Sequence, residues 1–116
     1  MTTTLLQRLN ISLPIIQGPM TGSDTPQLAA AVSQAGGLGM LGCGMRSPEA
    51  MAQAAAAVRA ATGKPFGMNL FVLEQPTPDA ATVQAAIARL TPLYADLGLP
   101  PPEAPARWCE DFDAQF

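Results

Sequence analysis

The chain has 116 residues, 48% of them hydrophobic and only 13% charged, with a net charge of −3; that is enough for one small domain with a well-buried core and a sparsely charged surface. The six basic residues are scattered, which argues against a nucleic-acid partner, no apolar run approaches the ~20 residues of a membrane span, and residues 1–11 lack the apolar core of a signal peptide. Histidine is absent, so the commonest acid/base group and metal ligand near neutral pH is missing from any chemistry this chain performs alone.

An apolar strand is expected at Leu13-Pro14-Ile15-Ile16-Gln17, followed by a glycine-containing loop over residues 18–24. Thr25-Pro26 then opens a helix: the threonine hydroxyl caps free N–H groups, and proline suits the first helical position, where no donor is needed. Leu28, Ala31, Val32 and Ala35 supply the i, i+3, i+4, i+7 stripe of a core-facing helix, and Gly36-Gly37 stops it. The second strand is Leu38-Gly39-Met40-Leu41. After a loop over residues 42–46, Ser47-Pro48-Glu49 opens the second helix with its carboxylate near the positive end of the helix dipole, and Met51, Ala54, Ala55 and Val58 form its stripe. The turn Thr62-Gly63-Lys64-Pro65 leads into the third strand, residues 66–71. Thr77-Pro78-Asp79 opens the third helix, with Val83, Ile87, Leu90, Tyr94 and Leu97 on one side. Pro92 lies inside that pattern, which predicts a kink or a restart with Thr91 as cap.

Short apolar strands alternating with helices predict parallel βαβ units and the α/β class; strands without clean polar–apolar alternation fit a sheet covered on both faces. Residues 1–97 are expected to form three βα units, residues 98–106 a stiff proline-rich linker, and residues 107–116 a short terminal helix with Trp108, Phe112 and Phe116 on one side. Three parallel strands leave two open edges, whereas a (β/α)8 barrel closes with eight strands and about 250 residues. The expectation is therefore the opening of a TIM barrel, incomplete in this chain. A complete three-stranded sandwich is the alternative, and it would leave its edges and the aromatic tail exposed.

Several residues invite a chemical reading. Gly37-Leu38-Gly39-Met40-Leu41-Gly42 matches G-x-G-x-x-G, but a dinucleotide fingerprint follows a strand and opens a helix, with an acid about 20 residues on; here a helix precedes it and no such acid follows, so the glycines are assigned to a helix stop and a tightly packed strand. Gln17-Gly18-Pro19-Met20-Thr21-Gly22 leaves the C-terminal end of the first strand, where parallel α/β folds bind ligands; its glycines permit close backbone approach and Met20 offers a soft apolar wall, although an ordinary connecting loop reads equally well. Asn69 is a polar residue inside an apolar strand, and its amide needs partners, from a ligand edge or from a neighbouring strand. Cys43 follows the second strand, as a thiol near a ligand or, in the preferred reading, as a small buried hydrophobe. Cys43 and Cys109 form no metal-type or redox-type pair and are expected as reduced thiols of a cytoplasmic protein. No metal site is expected.

The segments Pro14-Ile15-Ile16-Gln17-Gly18-Pro19-Met20, Thr25-Pro26-Gln27-Leu28-Ala29-Ala30-Ala31-Val32-Ser33, Ala35-Gly36-Gly37-Leu38-Gly39 and Lys64-Pro65-Phe66-Gly67-Met68-Asn69-Leu70-Phe71 resemble the N-terminal part of nitronate monooxygenases, formerly 2-nitropropane dioxygenases. The resemblance implies an FMN-dependent TIM-barrel oxidoreductase that oxidises alkyl nitronates with molecular oxygen to a carbonyl compound and nitrite. It implies that Pro19, Met20 and Gly22 lie against the flavin ring and that Asn69 hydrogen-bonds FMN. The catalytic histidine and the phosphate-binding loops of such enzymes lie beyond the segment that this chain resembles, so no catalytic residue is assigned here and the isolated chain is expected to be inactive. It would act on a small-molecule nitronate or nitroalkane only with the rest of the barrel or a completing chain. The alternatives are a related flavin barrel that reduces quinones or enoyl thioesters with NAD(P)H, and a non-catalytic remnant or interaction module using the aromatic tail.

Overall fold

The computed structural model describes residues 4–116 and begins with a short helix that the hydrophobic pattern does not reveal. In α1 (Leu5–Leu9) the Gln7 N–H donates to the Thr4 hydroxyl, and the Thr4 N–H donates to the Gln7 side chain at 2.8 Å. This capping box, closed by Asn10 at φ 53°, holds a helix too short to display a period.

The expected first strand is reduced to a single parallel bridge between Ile16 and Leu38. Leu38 N–H donates to the Ile15 carbonyl and Gln17 N–H to the Leu38 carbonyl, both at 2.9 Å. The ladder is then continued by a side chain. The Gln17 amide accepts from Met40 N–H at 3.3 Å and donates to the Met40 carbonyl at 3.1 Å, taking the place of the next peptide group. Pro14, which lacks an N–H, removes a donor at the other end.

Helix α2 (Pro26–Gln34) starts as expected, with Leu28 N–H donating to the Thr25 hydroxyl at 3.1 Å and Pro26 in the first turn. Its inner face differs from the expected stripe: Ala29, Ala30 and Ser33 are buried, whereas Leu28 is 39% exposed. The reason is close approach. A Cβ on Gly39 would collide with the Ala29 backbone, and Gly39 N–H donates to the Ser33 hydroxyl at 3.1 Å. Only small side chains fit between a helix and a strand this near, and a periodicity built on large apolar residues points to the wrong face. The other glycines of residues 37–42 are packing residues too: a Cβ on Gly37 would press on the Ile15 carbonyl and Val32, and one on Gly42 on Thr21.

Strand β1 (Gly39–Gly42) pairs in parallel with β2 (Phe66–Asn69), in the register Gly39↔Phe66 through Gly42↔Asn69. Between them runs α3 (Pro48–Ala61), capped by the Ser47 hydroxyl and burying all four residues of its expected stripe, Met51, Ala54, Ala55 and Val58. The core gathers Ala29, Ala30, Leu41, Cys43, Met51, Ala54 and Val58, with Phe66, Met68 and Leu70 packed against it. The α/β class and parallel pairing are thus as expected, with two strands and a bridge in place of three strands.

The chain divides into two units: residues up to Leu73 together with Glu110–Phe116, and Glu74–Cys109. The second contains α4 (Ala80–Asp96), capped by Asp79, whose carboxylate accepts from Thr82 N–H at 2.9 Å. The helix neither stops nor restarts at Pro92. It runs through, and the Thr91 hydroxyl donates to the Ile87 carbonyl at 2.8 Å. Val83, Ile87, Leu90 and Tyr94 face Pro102, Pro105 and Trp108 across a shallow groove, while Leu97 is 73% exposed. In the first unit, helix α5 (Phe112–Gln115) is capped by Asp111. It starts later than the sequence suggests, so Phe112 and Phe116 stack at 5.7 Å and Trp108 lies outside the helix.

Candidate functional site

The C-terminal ends of the parallel strands carry the candidate site. After the bridge at Ile16 the chain turns tightly, with Ser23 and Asp24 N–H groups both donating to the Met20 carbonyl at 2.7 and 2.9 Å. Gly22, at φ +84°, takes the left-handed position of this turn, which a side chain rarely adopts. Pro19 is exposed beside Met20, whose side chain is 41% exposed and free to form an apolar surface.

Asp24 fastens this loop to β1. Its buried carboxylate accepts from Gly42 N–H at 2.5 Å, from Met20 N–H at 3.2 Å and from the Arg46 guanidinium at 3.0 Å. Arg46 also donates from Nε to the Gly42 carbonyl at 3.1 Å and is only partly exposed. A Cβ on Gly42 would lie 2.5 Å from Thr21 N and 2.9 Å from the Asp24 carboxylate, so glycine is what lets the first loop lie on the end of the strand. On its other side Gly42 pairs with Asn69, and Cys43 N–H donates to the Asn69 carbonyl at 2.8 Å. A Cβ on Gly44 would strike the Phe71 ring, which closes the loop after β1 against the chain leaving β2.

Met20, Gly22 and Asn69 therefore flank one strand end, on either side of Gly42. The Asn69 side chain makes a single long hydrogen bond, Nδ2 to the Leu70 carbonyl at 3.5 Å, and most of its bonding capacity is unspent among the described residues. A cleft of about 400 Å³ is lined by Thr21, Gly22, Asp24, Met45 and Arg46. The Asp24–Arg46 pair is the feature that reading the sequence missed. The two lie in successive loops, and no local pattern links an acid with a base 22 positions away.

Cys43 is fully buried in the core. Burial pushes its thiol up from the ordinary value, Arg46 pulls the other way, and Asp24 adds to the rise. A thiol held protonated is a poor nucleophile, which favours the small-hydrophobe reading. No cluster of His, Cys, Asp and Glu able to hold a metal occurs among the described residues, and none of their helices is long and apolar enough to cross a membrane.

Polar groups and glycines thus gather at the carboxyl ends of the parallel strands of an α/β unit, the place where such folds bind ligands. Comparison with known proteins narrows that class. Residues 2–97 match the family model described as nitronate monooxygenase. A nitronate monooxygenase of Paraburkholderia phytofirmans is 44% identical over 98 residues, covering 84% of this chain and 27% of that protein. Among solved structures, a nitroalkane oxidase from Streptomyces ansochromogenes superposes with a TM-score of 0.68 at 38% identity, over 83% of this chain and 27% of the other. FabK (M276A) from Thermotoga maritima gives 0.59 at 39% identity, over 77% and 29%. The chain belongs to the nitronate monooxygenase family, and it spans little more than a quarter of the length of these relatives.

Proposed function

We propose that this chain forms the first three βα units of a TIM barrel and supplies one wall of its FMN site. The observation that carries this reading is that the loop holding Met20 and Gly22 is tied to Gly42 through the Asp24 carboxylate while Asn69 pairs with Gly42 from β2, in a family member, at the strand ends where such folds bind ligands. The residues suit a flat ring. Pro19 and Met20 offer an apolar surface, Gly22 faces open space where a side chain would otherwise stand, and the Asn69 amide has donors and an acceptor for its polar edge. FMN, when bound, supplies the electron transfer that oxidises an alkyl nitronate with molecular oxygen to a carbonyl compound and nitrite. This chain's part is to hold and orient. It has no histidine, and the base and the phosphate grip come from the remainder of the barrel or from a completing chain. The substrate is a small nitronate or nitroalkane. Both cysteines are free, in keeping with a reducing, cytoplasmic setting.

Titration of the 116-residue chain with FMN is expected to give negligible binding, and stoichiometric quenching of flavin fluorescence would overturn the partial-site reading. With the remaining βα units supplied in trans from the Paraburkholderia relative, flavin binding and nitrite release are expected. Nicotinamide oxidation without nitrite release would instead assign the chain to a flavin reductase.

A further inference from the structure

The tail that lies beyond the family match does more than follow the second unit. Glu110–Phe116 belongs to the first unit, and its helix α5 packs against α3. The Gln115 side chain, 91% buried by its 9% exposure, donates from Nε2 to the Cys43 carbonyl at 3.0 Å and to the Arg46 carbonyl at 2.6 Å. These two carbonyls bracket the loop after β1. The amide orientation is forced, because a flipped amide would set its oxygen against two carbonyl oxygens. Arg46 in turn grips the Asp24 carboxylate, which anchors the N–H groups of Met20 and Gly42. A chain of hydrogen bonds thus runs from the tail through the loop after β1 to the loop carrying Met20 and Gly22.

We propose that Glu110–Phe116 is a releasable latch that closes the loop after β1 and, through Arg46 and Asp24, orders the strand-end cleft. Three features make it releasable rather than permanent. Helix α5 has only four residues, so little of its own backbone bonding holds it. Gln115 Oε1 is buried with no hydrogen-bond partner among the described residues, a cost that release to water removes. The Phe116 side chain, 93% exposed, adds little burial to the docked state. The latch lies outside the matched family segment, which ends at residue 97. It does not depend on the identity of the ligand at the cleft.

Hydrogen exchange of the full chain tests it, comparing the native protein with Gln115→Ala and Gln115→Glu. The first variant removes both donors; the second sets a carboxylate, an acceptor only, against two carbonyls. In both, amides of residues 42–47 and 20–24 are expected to exchange about fivefold faster, the size of one net hydrogen bond, while those of residues 54–58 in α3 keep their protection. Unchanged exchange at residues 42–47 in both variants would overturn the latch, and a change there without one at residues 20–24 would overturn its reach to the cleft. In the native chain the Gln115 side-chain amide protons should exchange more slowly than those of the exposed Gln27 and Gln53. Equal rates would contradict docking without recourse to any variant.

Discussion

Asp24 shows how much a single carboxylate can hold. Buried, with both oxygens engaged by two backbone N–H groups and a guanidinium, it joins two loops that no backbone ladder connects. Replacing it by alanine leaves the buried Gly42 N–H without its acceptor and removes the partner of the partly exposed Arg46, a loss of about 1–3 kcal/mol. Asp24→Ala should therefore lower the unfolding free energy by roughly that amount in urea denaturation; a loss below ~1 kcal/mol would mean the pair is no more than a surface contact. Cys43 gives a second test at this scale. Its thiol is raised by burial, so folding favours the protonated form. The resulting stability is whole below the unfolded-state value and is lost as pH rises toward the folded one. Urea midpoints should fall as pH rises above the ordinary thiol range of about 8.5, less so in Cys43→Ala. Near neutral pH a thiol reagent should label the partly exposed Cys109 well before Cys43; equal rates would contradict the buried core. The burial of Cys43 was legible as the preferred small-hydrophobe reading; the Asp24–Arg46 pair was not. Asn69 and the Met20 loop stood out because a polar residue in an apolar strand and a glycine-bearing strand end are local anomalies, whereas the Asp24–Arg46 pair and the Gln115 contacts join residues distant in sequence.

At the scale of elements, what could be read was what is local. Thr25-Pro26 and Ser47-Pro48 placed two helix starts to the residue, because capping is decided within one turn. Each cap is worth about 1 kcal/mol, so Thr25→Ala and Ser47→Ala should each lower stability by that amount in the same denaturation assay. The stripe of α3 was readable because its large apolar residues are the buried ones. That of α2 was not, because the helix meets β1 through Ala29 and Gly39. Gly39→Ala, conservative by size, should act as an overpacking mutation and cost about 1–3 kcal/mol or more; a neutral effect would mean the helix is free to move off the sheet. Gln17 explains the one expected strand that did not form as a strand. A side-chain amide that pairs with Met40 satisfies the ladder without extended backbone, and no rule of apolar alternation anticipates it.

For the molecule as a whole, the parallel pairing of β1 and β2 brings Gly42 and Asn69 level at the strand ends, beside the loop that Asp24 ties down. Family membership rests on residues 2–97, and the proposal that these residues wall a flavin rests on where Met20, Gly22 and Asn69 sit. Affinity for FMN, measured with the remaining βα units supplied in trans and compared between the native chain and Asn69→Ala, tests that most directly. Loss of one hydrogen bond to the flavin predicts a roughly fivefold to tenfold weaker Kd, of the order of 1 kcal/mol, with the far-ultraviolet circular dichroism unchanged. An unaltered Kd in a folded Asn69→Ala variant would contradict the assignment of this strand end to the flavin site.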